Sequence, residues 1–246
     1  HRLMRWRLLA GFVAATSLAA CDPEPPVDHY ILALSWQPAF CERNAGKPEC
    51  RELDGGDFAA TNLSLHGLWP NAADGDHPLY CGVAAGDRDA DEAGNWCALP
   101  STGADQATQS DLAQVMPGSA SCLDRHEWTK HGTCTGLGGD AYFDASAHLV
   151  REVQATRLSK VLRANIGKEV SRRGLLDAFE ADFGADAADA VEFLCRRQGQ
   201  QAHLTEIRLA LRPDAIDKPL SRNALFLDGP APDGGCPVEI YLDPAG

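Results

Sequence analysis

His126-Glu127-Trp128-Thr129-Lys130-His131-Gly132-Thr133-Cys134 packs two imidazoles, a carboxylate and an ammonium into its first six residues. About sixty residues upstream, His66-Gly67-Leu68-Trp69-Pro70 holds another histidine between a leucine and a glycine, just before a tryptophan-proline pair. Two histidines from separate segments, with a lysine and a glutamate, are the groups needed to move a proton onto and off a phosphodiester without a metal. On a helix, Glu127, Lys130 and His131 lie at i, i+3 and i+4 and share one face, with His126 to its side.

A zinc-protease reading of the same stretch fails. Lys130 stands where HExxH needs its second histidine, and five helical residues leave the rings of His126 and His131 about 140° apart. The bland alternative is a solvated helix with one Glu–Lys pair, worth tenths of a kcal/mol. For His66 it is a core histidine satisfied by backbone. The second histidine segment tips the balance toward chemistry. Trp69 is then a face on which a base stacks, worth roughly 1–3 kcal/mol.

Outward from these segments, the chain of 246 residues is 44% apolar and 23% charged, near the globular averages, so one domain with a sizeable core is expected. Arg2, Arg5 and Arg7 precede an apolar run from Leu8 to Ala20, the pattern of an export signal over residues 1–20. Leu18-Ala19-Ala20-Cys21 resembles a lipoprotein cleavage box, with Cys21 as the lipidated residue and membrane tethering as the consequence; ordinary cleavage nearby is the alternative. Residues 21–28 (CDPEPPVD) read as a tether, and 29–246 as the domain. Without Cys21, eight cysteines remain: Cys41, Cys50, Cys81, Cys97, Cys122, Cys134, Cys195 and Cys236. Four disulfides would use all of them, as suits an oxidising compartment, but 105 pairings are open.

Charge argues against a polyanionic ligand. The net charge is −13, and without residues 1–20, which carry three arginines and no acid, it is −16. Nucleic-acid binders usually present basic surfaces. Either the ligand is something else, or a local cationic groove sits in an acidic shell.

His29–Trp36, Val191–Cys195, Leu204–Leu211 and Val238–Leu242 read as strands. The alternation LTEIRLAL over Leu204–Leu211 predicts one solvated face. Apolar spacing predicts a helix over Asp144–Asn165, capped by Asp144, and another over Ser171–Phe183, capped by Ser171 and ended by Gly184. Residues 45–57 and 71–107 read as long loops, the second pinned by its cysteines. Helices and strands without regular βαβ alternation imply an α+β fold, a mostly antiparallel central sheet flanked by helices and stapled by disulfides.

The two histidine segments, in this order and at this spacing, resemble the active-site segments of the ribonuclease T2 family. The likeness runs from Tyr30 almost to the C-terminus and takes in Ser35-Trp36-Gln37 and Phe40-Cys41. Ser121-Cys122-Leu123-Asp124-Arg125 and Leu204-Thr205-Glu206-Ile207 resemble the bacterial periplasmic ribonuclease I branch. The resemblance implies an exported endoribonuclease that cleaves single-stranded RNA by transesterification through a 2′,3′-cyclic phosphate to a 3′-phosphate, with no cofactor, no metal and no action on DNA. It implies His131 as general base, His66 as general acid, Lys130 and Glu127 stabilising the phosphorane, and His126 holding phosphate. It also implies a bell-shaped pH profile on the acid side. It implies two shared bridges, Cys81–Cys134 and Cys195–Cys236, after which Cys41–Cys50 and Cys97–Cys122 remain. Some members carry Asp after the Trp-Pro pair; here Asn71 stands as the base-site residue beside Trp69, and no base preference follows. A monomer is expected. The rivals are a silent relative keeping the fold as an RNA-binding or signalling module, and a hydrolase acting on another phosphoester.

Overall fold

β-branched and aromatic residues concentrate in the stretches that pair into one six-stranded sheet: β1 (His29–Ser35), β2 (Ser64–Asn71), β3 (Glu169–Ser171), β4 (Val191–Gln198), β5 (Gln201–Leu211) and β6 (Glu239–Tyr241). The order is β2-β1-β5-β6-β3, with β4 also pairing with β5. All pairings are antiparallel except β5 with β6, which meet in parallel at His203 and Tyr241. The structure, a computed structural model, describes residues 26–73, 75, 77–228 and 235–246. The expected export signal, Cys21 and most of the tether lie outside the described residues.

The helices are α1 (Gln37–Cys41), α2 (Pro48–Arg51), α3 (Phe58–Thr61), α4 (Ala85–Glu92), α5 (Gln106–Val115), α6 (Leu123–Lys130), α7 (Gly139–Ala155), α8 (Arg157–Ala164) and α9 (Arg172–Phe183). One core joins Leu32, Leu34 and Leu68 of the sheet to Phe143, Leu149 and Val153 of α7 and Phe179 of α9. This is the α+β domain with a mostly antiparallel sheet that the sequence implied. No helix among the described residues is long and apolar enough to cross a membrane.

Three expectations need correction. The single helix over Asp144–Asn165 is two helices. Thr156 takes extended angles (φ −69°, ψ 160°) and its side chain accepts from the backbone of Ser159, so it caps α8. Asp144 lies inside α7, which begins five residues earlier. Second, neither long loop is free of helix: residues 45–57 contain α2, and residues 71–107 contain α4, a 3₁₀ turn at Trp96–Ala98 and the start of α5. Third, the polar face of β5 is not open to water: Glu206 is 9% exposed. The α9 boundaries do match the reading, for Ser171 Oγ accepts from the backbone of Gly174 and Gly184 at φ +99° ends the helix.

The disulfides are Cys41–Cys50, Cys81–Cys134, Cys97–Cys122 and Cys195–Cys236. Cys81–Cys134 ties the loop after β2 to the turn after α6. Cys97–Cys122 ties that loop to the start of α6. The two histidine segments are therefore held together covalently as well as by packing.

Candidate active site

His66 sits at a fault in the sheet. Leu65 faces Leu34 and Gly67 faces Ala33, so His66 is the unpaired residue of a β-bulge between them. Bulges re-aim a side chain out of the regular alternation. The His66 ring meets two acids: Nδ1 lies 2.7 Å from Glu206 Oε2 on β5, and Nε2 lies 3.5 Å from Glu127 Oε1 on α6. Burial opposes a charge on His66, but the Glu206 hydrogen bond and the charge of Glu127 outweigh it and raise the pKa. Glu206 is pushed up by burial, yet His66 and Arg208 hold its carboxyl below the usual range.

Glu127 is 1% exposed. Trp69 Nε1 donates to its Oε2 at 2.7 Å, and its Oε1 lies 3.8 Å from His126 Nε2. Burial raises this carboxyl against the pull of His66, His126, the Trp69 bond and Lys130. Gly67 makes the approach possible: a Cβ there would overlap both Glu127 Oε2 and Trp69 Nε1.

His131 is the C-cap just beyond the end of α6. Its Nδ1 is buried without a hydrogen-bond partner among the described residues. Burial, then the positive charges of Lys130, His126 and His66, push its pKa down to about 3. Trp69 touches both catalytic candidates, edge-on to His66 at 5.2 Å and tilted against His131 at 5.4 Å. The last residue of α6 is Lys130, whose carbonyl is fixed by the backbone N–H of Tyr80.

His126 Nδ1 lies 2.7 Å from Asp91 Oδ1, and Tyr80 Oη donates to Asp91 Oδ2 at 2.8 Å. Trp96 stacks on the His126 ring at 4.4 Å. The structure thus brings His66, Trp69, His126, Glu127, Lys130 and His131 together. Asn71 lies two residues beyond Trp69 at the end of β2, opposite His29 and buried, on the strand face that carries Trp69.

Sequence reasoning missed Glu206, Arg208, Asp91, Tyr80 and Trp96 as site residues. Glu206 and Arg208 carried a signal, two charges at alternate positions of a strand. Asp91, Tyr80 and Trp96 carried none, because α4, which holds Asp91, shows no apolar stripe in sequence and the turns around it have no period. A cavity of about 370 Å³ adjoins His66 and Glu206, with Arg43, Lys47, Arg196 and Arg208 among its walls. Set against Glu49 and Glu206 on the same walls, these four cations still leave the rim with an excess of positive groups within an acidic protein.

Residues 27–219 match the Ribonuclease T2 family. The chain is 39% identical over 237 residues to Ribonuclease I of Escherichia coli (strain K12), covering 89% of this chain and 87% of that protein. Its fold resembles that of RNase NT in complex with 5′-AMP (TM-score 0.61, 21% identity, 89% of this chain and all of that one). It also resembles ribonuclease MC1 from the seeds of bitter gourd (TM-score 0.57, 19% identity, 87% and 99%). With most of its length matched and the paired histidine segments closed around one buried carboxylate, this chain belongs to the ribonuclease T2 family.

Proposed function

We propose a division of labour among these residues for the reaction of a ribonuclease T2-type endoribonuclease, the cleavage of RNA by transesterification. The observation that carries it is an asymmetry: His66 lies against Glu206 and Glu127, whereas buried His131 sits beside Lys130 with no acidic partner among the described residues. One imidazole is thereby kept protonated and the other neutral at the same pH, as acid–base catalysis requires.

Neutral His131 takes the proton of the ribose 2′-OH, and that oxygen attacks the adjacent phosphorus. Lys130 meets the charge that builds on the equatorial oxygens, worth about 3 kcal/mol for a preorganised donor. Glu127, anchored by the Trp69 bond and set against His66 and His126, works with Lys130 in stabilising the same phosphorane. Protonated His66 gives its proton to the departing 5′-oxygen, leaving a 2′,3′-cyclic phosphate and a 5′-OH. Water then adds with the histidines exchanging roles, and a 3′-phosphate results. His126, oriented by Asp91 and stacked on Trp96, holds a phosphate; Trp69 and Asn71 flank the base. The nucleophile is internal to the substrate, so no metal is needed to generate it, and DNA, which lacks it, is not cut.

The basic rim of Arg43, Lys47, Arg196 and Arg208 answers the charge paradox by offering a polyanion a local landing site on an acidic protein. Four disulfides suit an exported enzyme of the periplasm or exterior. Acylation of Cys21 would tether it as a monomer to a membrane.

The test is cleavage of a short RNA by the mature protein in excess EDTA, beside an oligonucleotide with one 2′-deoxy at the scissile position, with products read by mass. A cyclic phosphate from the RNA alone is expected. Absence of cleavage across the acid and neutral range would overturn the assignment and favour a silent relative. Cleavage of the 2′-deoxy strand would favour another phosphoesterase.

A further inference from the structure

Away from the catalytic residues, the C-terminal segment meets α1 and β5 at a second cluster of ionisable groups. Glu42 caps the end of α1, His203 lies on β5 opposite Tyr241, and Asp243 follows β6. One ligand atom from each, a carboxylate oxygen, a ring nitrogen and a carboxylate oxygen, lies within 4.8 Å of the other two. We propose that Glu42, His203 and Asp243 bind one divalent transition-metal cation of zinc type, which fastens the C-terminal segment to the sheet and to α1.

The second observation is an orphaned oxygen. The Asp243 side chain is 1% exposed. Its Oδ1 lies 2.7 Å from His203 Nδ1, and its buried Oδ2 meets no N–H or hydroxyl donor among the described residues; what faces the side chain instead is a second carboxyl, Glu42. An unsatisfied buried carboxylate oxygen is costly. The nearest guanidinium serves the wrong acid: Arg196 reaches Glu42 Oε2, at 3.4 Å. Two carboxylates thus share one pocket with a neutral-capable imidazole, a donor set that a dication would balance.

The chemistry selects the class of ion. One imidazole nitrogen and two carboxylate oxygens suit zinc, with water at the fourth position, whereas calcium needs six to eight oxygens. Tetrahedral zinc places its ligand atoms about 3.4 Å apart, so the His203–Asp243 pair, at 2.7 Å, must open slightly while Glu42 moves in. Glu42, whose side chain is 35% exposed, is the arm free to move. Asp243 is already fixed, since its carbonyl accepts from Trp36 Nε1 at 2.9 Å. A cavity of about 550 Å³ beside the cluster, lined in part by Cys41 and Cys50, admits the ion and its water.

The test uses the whole protein, stripped with chelator and titrated with Zn²⁺ by calorimetry, with Mg²⁺ as the hard-ion arm. Wild type should take up Zn²⁺, and at about 100-fold above Kd its Tm should rise by about 5–10 °C. Glu42→Gln and His203→Gln should each weaken this binding at least tenfold and abolish the rise. His131→Ala should leave it intact, and RNA cleavage by Glu42→Gln in EDTA should match wild type. The proposal is overturned if wild type binds no Zn²⁺. It is also overturned if binding survives Glu42→Gln and His203→Gln but is lost in His131→Ala, which would place the ion at the catalytic histidines. If Glu42→Gln stabilises the metal-free protein and wild type binds nothing, a proton shared by the carboxylates does the work instead, and the proposal fails.

Discussion

The indole N–H of Trp69 donates to Glu127 Oε2 at 2.7 Å, joining the β2 segment to the α6 segment through a carboxylate that water scarcely reaches. Trp69 is thus a positioning element for Glu127 as well as a candidate face for a base. The two roles separate kinetically. Trp69→Phe keeps an aromatic face and deletes the donor, leaving a buried acceptor short of a bond at about 1–3 kcal/mol. We expect kcat to fall roughly tenfold or more with a smaller change in KM. A rise in KM at constant kcat would assign the indole to base binding alone.

Glu206 should set the alkaline limb of the pH profile. Catalysis as proposed needs His131 neutral and His66 protonated. The acid limb of kcat/KM should therefore follow His131, near pH 3, and the alkaline limb His66, above the ordinary value of 6.5. In Glu206→Gln the hydrogen bond that raises His66 is weakened, so the alkaline limb should move to lower pH while the acid limb stays. The same raised pKa stabilises the fold fully below pH 6.5, a contribution lost as pH rises through the folded value. A pH–rate series on both proteins checks this, and an unmoved alkaline limb in the variant would remove Glu206 from the scheme.

Gly67→Ala should be more harmful than its size suggests. The added methyl would strike Glu127 Oε2 and Trp69 Nε1 together, and overpacking of this kind costs about 1–3 kcal/mol. We expect a lower Tm, and a loss of kcat of two orders of magnitude or more if Glu127 is displaced. Activity near wild type would show that the bulged strand can yield without cost.

The disulfides should differ in what they protect. Cys81–Cys134 closes a separation of 53 residues, worth about 4 kcal/mol in the loop-entropy account, and it joins the two catalytic segments. Cys195–Cys236 spans 41 residues and ties β4 to the approach of β6. Cys81→Ala/Cys134→Ala should lower both Tm and kcat, and Cys195→Ala/Cys236→Ala chiefly Tm. Melting curves and steady-state rates on the two double variants decide it. Full activity in the first pair would show that packing alone aligns the site.

Much of the proposed catalytic set was legible because it is local. His126, Glu127, Lys130 and His131 lie within six residues, and helical geometry by itself brings three of them to one face. The strands and α9 were legible for the same reason: alternation, a serine cap and a terminal glycine act over a few residues. The break at Thr156 went unread, although the five-residue step from Val153 to Leu158 swings the apolar stripe by about 140° and Thr156 is a residue type that caps helices.

What the sequence by itself determined is the kind of chemistry: the residue types, their order and the two segments that carry them. What only the tertiary structure decided is the setting of each imidazole, from which the proposed acid and base follow. That depends on Glu206, 140 residues from His66 in the chain and 2.7 Å away in space, and on the burial of His131 beside Lys130. The pKa of a histidine follows from the charges and solvent around it, and those are set by strand pairing, a bulge and a helix end rather than by its neighbours in sequence.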